Sequence, residues 1–223
     1  MIRFAIGLSL LFLAACVDDR ATGSFESALG GFADCSVPGA LPDDGVDDRA
    51  AIQSALTDRG CALLGPGVYD IATPLPRLVG ANKYGMLSVL QGRSLRGSGP
   101  ATVLKFYGDS SHTDWYGIQV GLTSSPGDDS LVSDLMHATT ALTNTEEQTH
   151  AVQVTGPALR VTIRNLWINH PSRGPTGAGS TLGGGDCIKV VGYDPTFDAA
   201  GAPTSDRRVS IVASGNQFVA CDR

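Results

Sequence analysis

The sequence predicts an all-β fold class, and three observations support this. Glycine accounts for 28 of the 223 residues and only 17% of residues are charged, a composition typical of many turns between weakly charged strands. Short apolar runs, rich in β-branched side chains and bounded by Gly, Pro, Ser or Asp, recur from Cys61 onward. Helical periodicity is missing between these runs. The pattern therefore excludes a doubly wound sheet and leaves a sandwich, a barrel or a β-solenoid.

The predicted strands follow one another along most of the chain. They cover residues 61–64, 68–71, 86–90, 101–106, 116–120, 150–155, 159–169, 186–191 and 209–213. Residues 161–169 show the period of two that is typical of a half-buried strand.

One short helix is predicted before the first strand, at about residues 48–59. Asp47 or Asp48 can cap its N-terminus, and Gly60 is a suitable residue just after its end. The apolar residues with helical spacing are Ala51, Ile52, Ala55 and Leu56. Ser130 to Thr140 is the only other candidate for a helix.

The first sixteen residues have the pattern of an export signal. Arg3 precedes an apolar run that is too short to span a bilayer, and Ala14 and Ala15 lead into Cys16. This end is similar to the lipobox of bacterial lipoproteins, in which the cysteine is acylated and becomes the mature N-terminus. The alternative is an ordinary secretory signal with an incidental cysteine.

The resemblance implies a signal peptide at 1–15, a tether at 16–35 and a folded domain at 36–223. It also implies a lipid-anchored protein of the bacterial cell envelope, which reaches the membrane through its N-terminal lipid. Val17, not an aspartate, follows Cys16, so the outer membrane is the expected location.

Export into an oxidising compartment permits disulfides among the four remaining cysteines. Three pairings are possible, and we favour Cys35–Cys61 with Cys187–Cys221 because each closes a short local loop. Free buried thiols are the alternative. The sequence has no CxxC motif and its four histidines lack zinc-site spacing, so no zinc site is predicted.

The net charge of −6, without a basic stripe, argues against a nucleic-acid partner.

The segment from Asp43 to Leu56 resembles the entry segment of the pectin-lyase-like superfamily, which reads roughly Gly-x-x-Asp-Asp-x-x-Ala-Ile-Gln-x-Ala. A strand at 62–64 and a turn at 65–69 follow it, as in that family, and residues 95–105, 159–168 and 185–190 look like later coils. The resemblance implies a right-handed parallel β-helix capped at its N-terminal end by the helix. No closing cap is visible near Arg223, so we expect a β-helix that is incomplete at its C-terminus or that assembles end to end.

The superfamily implies action on acidic polysaccharides. Its polygalacturonase-like branch uses a pair of carboxylates, and Gly185-Asp186-Cys187-Ile188 resembles one of its motifs with one Asp missing. Asp186 is therefore the candidate general acid, and a turn Asp bonded to its own backbone is the alternative. The lyase branch uses Asp-bound Ca²⁺ and a basic residue, which makes Ca²⁺ the one cofactor that the resemblance suggests, although the arginine motif of that branch is absent.

Four further residues complete the candidate site. His170 could assist proton transfer, Arg160 and Arg164 could hold a sugar carboxylate, and Trp167 could stack on a sugar ring. For each, a solvated surface or a packing role is the alternative. The functional hypotheses are a polysaccharide lyase, hydrolase or epimerase, a non-catalytic glycan-binding or scaffold β-helix, and a fragment without a complete site. The sequence leaves the glycan and the oligomeric state open.

Overall fold

The computed structural model describes residues 34–72, 83–107, 114–122, 125–139, 142–143, 148–169, 172–173, 186–191 and 209–221. These residues are mostly β-strands in parallel sheets, with one short helical segment. The predominance of β-strands that the short apolar runs predict is therefore present. Residues from Cys35 onward form one compact unit.

The predicted helix is present. Helix α1 spans Arg49–Ser54 and continues as a π-helical turn over Ala55–Arg59, which ends at Gly60 with a φ of 76°. Asp48 makes no capping bond, whereas Asp47 Oδ1 accepts the Arg49 N–H at 3.1 Å. The apolar side of this segment is buried in the core, as the spacing of its apolar residues predicts.

Fourteen strands follow the helix in the described residues. Their bounds are β1 Cys61–Leu63, β2 Gly67–Ile71, β3 Lys83–Val89, β4 Ser94–Arg96, β5 Thr102–Phe106, β6 Asp114–Val120, β7 Leu131–Thr139, β8 Leu142–Thr143, β9 Gln148–Thr155, β10 Ala158–Asn169, β11 Ser172–Arg173, β12 Ile188–Val191, β13 Val209–Ser214 and β14 Gln217–Ala220.

The interpretation of Ser130 to Thr140 as a possible helix is wrong, because this segment contains β7. Leu135, His137 and Thr139 are buried and alternate with partly exposed residues, which is the period of a strand. Strands β4 and β5 on one side and β10 on the other complete its hydrogen bonds, and this tertiary pairing outweighs its weak helical pattern.

The eight-stranded sheet, here sheet A, is parallel throughout and has two arms. The first part of β7 pairs with β4, and its second part pairs with β5. Strand β10 pairs in the same way with β13 and then β14. Asp134 and Asn165, with φ angles of 58° and 51°, divide the long strands at these points. The left-handed residues thus mark the boundary between the arms.

The four-stranded sheet, here sheet B, has the parallel order β12-β9-β6-β3, and β8 pairs with β11 in a separate two-stranded ladder. Sheets A and B share one hydrophobic core, to which β6 contributes Ile118 and β10 contributes Ile163. Gly117 of β6 leaves room for the buried His137 of β7, because a Cβ at this position would collide with His137 Nε2. The two sheets therefore pack closely at this point.

Two disulfides join Cys35 to Cys61 and Cys187 to Cys221, with Cα atoms 5.2 and 5.6 Å apart. This is the pairing that the loop lengths favour. None of the helical residues that the structure describes forms a segment long and apolar enough to cross a membrane.

Candidate functional site

The candidate site is a group of mostly buried polar side chains on sheet B and on the segment just before β12. In β9 both Ala151 and Val152 pack in the core, and their consecutive N–H groups donate to the carbonyls of Asp186 and Cys187 at 3.1 and 3.0 Å. Two buried polar residues, His150 and Gln153, flank this pair.

The same pattern repeats in the neighbouring strands. Tyr116 and Gln119 flank a consecutive pair in β6, and Asp186 and Lys189 flank the pair at the start of β12. The core pairs are Met86 with Leu87, Gly117 with Ile118, Ala151 with Val152, and Cys187 with Ile188. Sheet pairing thus stacks the polar residues of successive strands into columns.

His150 is the centre of the site, and only 2% of its side chain is exposed. Tyr116, its register partner on β6, stacks on the imidazole with ring centroids 5.6 Å apart and an interplanar angle of 6°. Stacking and burial fix the plane of the imidazole ring, so its two nitrogen atoms have defined neighbours.

Asp186 and Lys189 contact opposite ends of that imidazole. The backbone N–H of Asp186 donates to His150 Nδ1 at 3.0 Å, and Asp186 Oδ2 lies 3.3 Å from the same nitrogen. Lys189 Nζ lies 2.9 Å from His150 Nε2. A carboxylate, an imidazole and an amine are thereby brought together, and the 33% exposure of Asp186 leaves the carboxylate open to a ligand.

A buried amide network lies beside this group. Gln119 Nε2 donates to Thr155 Oγ1 at 2.9 Å, and Gln153 Nε2 donates to Gln119 Oε1 at 3.3 Å and to Thr155 Oγ1 at 3.1 Å. Buried amides that satisfy one another in this way hold neighbouring strands in a single register. The network therefore supports the positions of the polar columns.

Of the residues predicted for the site, Asp186 lies beside the imidazole of His150, and three others lie elsewhere. Arg160, Arg164 and Trp167 belong to β10 of sheet A and are not part of the group on sheet B. His170 and Cys16 lie outside the described residues.

Arg160 is engaged with a carboxylate of its own sheet. Its Nε and Nη2 donate to Asp129 Oδ1 and Oδ2 at 2.6 and 2.8 Å. The hydrogen bond from Arg160 and its charge lower the pKa of Asp129, and the same bond raises the pKa of Arg160. The side chains are 59% and 46% exposed, so solvent weakens this pair. Arg164 is exposed, and Trp167 is half-buried.

Sequence reasoning missed His150 and Lys189. The signal that could have revealed them is a four-residue pattern of polar, core, core and polar positions, which occurs as Tyr116 to Gln119, His150 to Gln153 and Asp186 to Lys189. Each occurrence lies roughly one 30–40-residue step after the last, the length of one repeat in many stacked folds.

The site contains one carboxylate in the described residues, that of Asp186. No group of three or more His, Cys, Asp and Glu side chains suited to a metal ion is found in the parts of the chain that the structure describes. The carboxylate, the imidazole and the amine that meet at His150 are groups that can transfer protons to or from a bound molecule.

Comparison of the chain with protein-family models, with curated proteins and with solved structures found no match.

Proposed function

We propose that the two sheets are faces of one right-handed parallel β-helix with α1 over its first coil. The support is the pairing pattern: Cys61 pairs with Ser94, Ser94 with Leu131, and Tyr116 with His150, always in parallel and roughly 30–40 residues further along. Parallel crossovers are right-handed in nearly all proteins. Left-handed residues at the boundaries between sheet arms suit the corners of such a coil.

The protein engages an acidic polysaccharide at this site on sheet B. The observation that carries this proposal is the contact of His150 with both Asp186 and Lys189, beside the stacked ring of Tyr116. Stacked coils present such residues in a row, and a linear polymer can follow a row of side chains. Polar groups that converge at one place are the usual mark of a binding site.

Among the reactions considered, proton transfer next to a uronate carboxylate fits better than hydrolysis. Inverting and retaining glycosidases both need two carboxyl groups, and the described part of the site provides Asp186 alone. A lyase or an epimerase instead needs a base, for which His150 and Lys189 are the candidates, and Asp186 orients the imidazole. The carbon next to the carboxylate would lose its proton to this base.

The test is release of unsaturated uronate from a panel of acidic polysaccharides, followed by absorbance near 235 nm, with and without Ca²⁺. We expect absorbance for a lyase, and exchange of the uronate proton with deuterated solvent for an epimerase. Asp186→Asn should reduce either signal at least tenfold. Asp129→Asn, which changes an exposed carboxylate in the turn before β7, is the matched control and should leave the signal unchanged. New reducing ends without absorbance would show hydrolysis instead.

A non-catalytic glycan-binding surface is the second candidate, and it is favoured by β10. Arg164 is exposed and Trp167 is half-buried on a strand that does not take part in the site on sheet B. A cation and an aromatic ring on one strand can hold a charged sugar. Loss of polysaccharide affinity in Trp167→Ala, with no activity in the wild type, would support this role.

Attachment to the bacterial envelope through lipid on Cys16 is a further part of the proposal, supported by the lipobox-like end at residues 13–16. Metabolic labelling with a radioactive fatty acid should mark the wild type but not Cys16→Ser. Equal labelling of the two proteins would contradict it.

A further inference from the structure

Strands β13 and β14 form an edge of sheet A, here the β13–β14 edge, that has a neighbour on one side only. Strand β10 pairs with both strands, and no other strand in the described part of the chain pairs with either of them. The edge therefore presents backbone N–H and C=O groups that can pair with a further strand. Cys221, immediately after β14, is bonded to Cys187 and holds this edge in place.

The apolar rows of the core continue onto the β13–β14 edge, where they become exposed. Ile163 and Ile168 of β10 are completely buried. Their register partners are Ala213, which is exposed, and Phe218, which is 58% exposed. Side chains in register on neighbouring strands lie side by side on the same face of a sheet. Ala213 and Phe218 thus extend the core by one layer, and nothing among the described residues covers that layer.

The opposite edge of sheet A, at β1 and β2, is closed by the chain itself. Leu63 of β1 donates its N–H to the Cys35 carbonyl at 2.7 Å. In β2 the Asp70 carbonyl accepts the Asp48 N–H at 2.8 Å, and the Asp70 N–H donates to the Asp48 carboxylate at 3.2 Å. A second molecule therefore cannot add a strand at this edge without displacing these contacts.

The β13–β14 edge is also uncharged. Residues 209–221 contain no Asp, Glu, Lys, Arg or Pro, in a chain of which 17% of residues are charged. Monomeric proteins commonly place charged residues or proline on an exposed edge strand, because these residues prevent a second chain from pairing with it. An uncharged edge can instead lie against its own copy without repulsion between like charges.

We propose that the β13–β14 edge binds the same edge of a second copy of this chain, and that the two copies form a closed dimer. The inference goes beyond the proposed polysaccharide activity and does not depend on it. A twofold axis perpendicular to the sheet places equivalent edge strands antiparallel, an arrangement in which their backbone groups can pair. Because β1 and β2 are covered, contact between unlike edges is blocked, so the assembly stops at two molecules.

The first test is sedimentation velocity of the full chain in a non-ionic detergent, over a range of protein concentrations. We expect the wild type to be a dimer. Val212→Lys places a charge near the middle of β13 in both copies and should raise the dissociation constant at least tenfold. Val46→Lys is the matched control, because Val46 is 61% exposed, as Val212 is at 60%, but precedes α1. It should dimerise like the wild type.

Both variants keep residues 1–16, so association through that apolar segment would appear equally in the two proteins. A dissociation constant unchanged in Val212→Lys would therefore overturn the proposal. A monomeric wild type would also overturn it, and so would a wild type that grows into longer assemblies, since a contact between like edges closes at two copies.

A second measurement uses the wild type alone and does not depend on the folding of a variant. The N–H groups of successive strand residues point to opposite edges, so in a monomer only alternate amides of β13 are bonded to β10. Pairing with a second copy protects the remaining amides. We expect slow hydrogen exchange at both sets, as in β7, which has strands on both sides. Fast exchange at every second amide of β13 would refute the proposal.

Discussion

Asn165 Nδ2 donates to Asp134 Oδ1 at 2.8 Å, and the two residues occupy equivalent left-handed positions on neighbouring strands of sheet A. Gly215 continues this column with a φ of 64°, and a Cβ there would collide with Asn165 Oδ1. Asn216 completes the corner, because its Oδ1 accepts the Leu166 N–H at 3.0 Å and its Nδ2 donates to the Ile163 carbonyl at 3.1 Å. The side chains at this corner thus form hydrogen bonds with backbone N–H and C=O groups that do not pair with a neighbouring strand where the chain bends.

Asn165→Ala should therefore destabilise the protein more than Asn165→Gly. Both changes remove the hydrogen bond to Asp134, but only alanine adds the strain of a Cβ in the left-handed region, which costs about 1 kcal/mol. Urea unfolding of the two variants measures the difference. Equal stability would show that the corner tolerates any small residue.

Gly117→Ala should be strongly destabilising, by about 1–3 kcal/mol, because the added methyl group would overlap His137 Nε2 and lie 2.8 Å from the Ala151 carbonyl oxygen. Gly65→Ala is the matched control, since its new Cβ would meet nothing closer than the Tyr69 hydroxyl at 3.9 Å. Thermal unfolding of the pair should show a lowered melting temperature for the first alone. A melting temperature unchanged in both would mean that the sheets pack less tightly around His137 than described.

The pKa of Asp48 should lie above 3.8, the ordinary value for an aspartate carboxyl, and the pKa of Asp134 should lie below it. Burial is the main cause that raises the pKa of Asp48, although the Leu41 and Asp70 N–H groups donate to it. Burial also acts to raise the pKa of Asp134, but hydrogen bonds and the charges of Arg164 and Arg96 outweigh it and lower this pKa. Carboxyl ¹³C shifts measured from pH 2 to 7 give both midpoints.

The two carboxyls consequently affect stability with opposite signs. The contribution of Asp134 is present above 3.8 and is lost as the pH falls through its lower folded-state pKa. The contribution of Asp48 is present below 3.8 and is lost as the pH rises through its higher folded-state pKa. Asp134→Asn should therefore destabilise the protein more at pH 7 than at pH 2. An equal loss of stability at the two pH values would contradict this sign.

The two disulfides should contribute similarly to the stability of the protein, but they should differ in their effect on the site. They join residues 26 and 34 positions apart, for which chain entropy gives about 3–4 kcal/mol each. Only Cys187 is adjacent to Asp186, just before the edge strand β12 of sheet B. Replacing Cys187 and Cys221 by serine should reduce the release of unsaturated uronate, whereas the same change at Cys35 and Cys61 should preserve it. Loss in both variants would indicate a global effect.

The parts of the fold that local chemistry dictates could be predicted from the sequence. The spacing of Ile52 and Leu56 placed the helix, and runs of β-branched residues placed most strands. The segment containing β7 was ambiguous, because its pattern is weak without the strands on either side. The preferred disulfides followed from loop length alone.

The site was less accessible to prediction, because it depends on register. Asp186 was found next to a glycine run, but nothing near it in the sequence indicates that His150, 36 residues earlier, contacts it. The register of β9 with β12 decides which residues meet, and a shift of one residue would change every pair. Which side chains meet at the site is therefore decided by how the strands pair, and it cannot be read from the sequence of a single strand.

The positions of the two disulfides also affect the resistance of the protein to proteolysis. One bridge joins Cys35 to the first strand, and the other joins Cys187 to Cys221, just after the last described strand. A protease that cuts once between the members of either pair leaves the fragments covalently attached, so the severed segment can return to its place. Nicking inside either bridged segment would therefore leave the molecule in one piece.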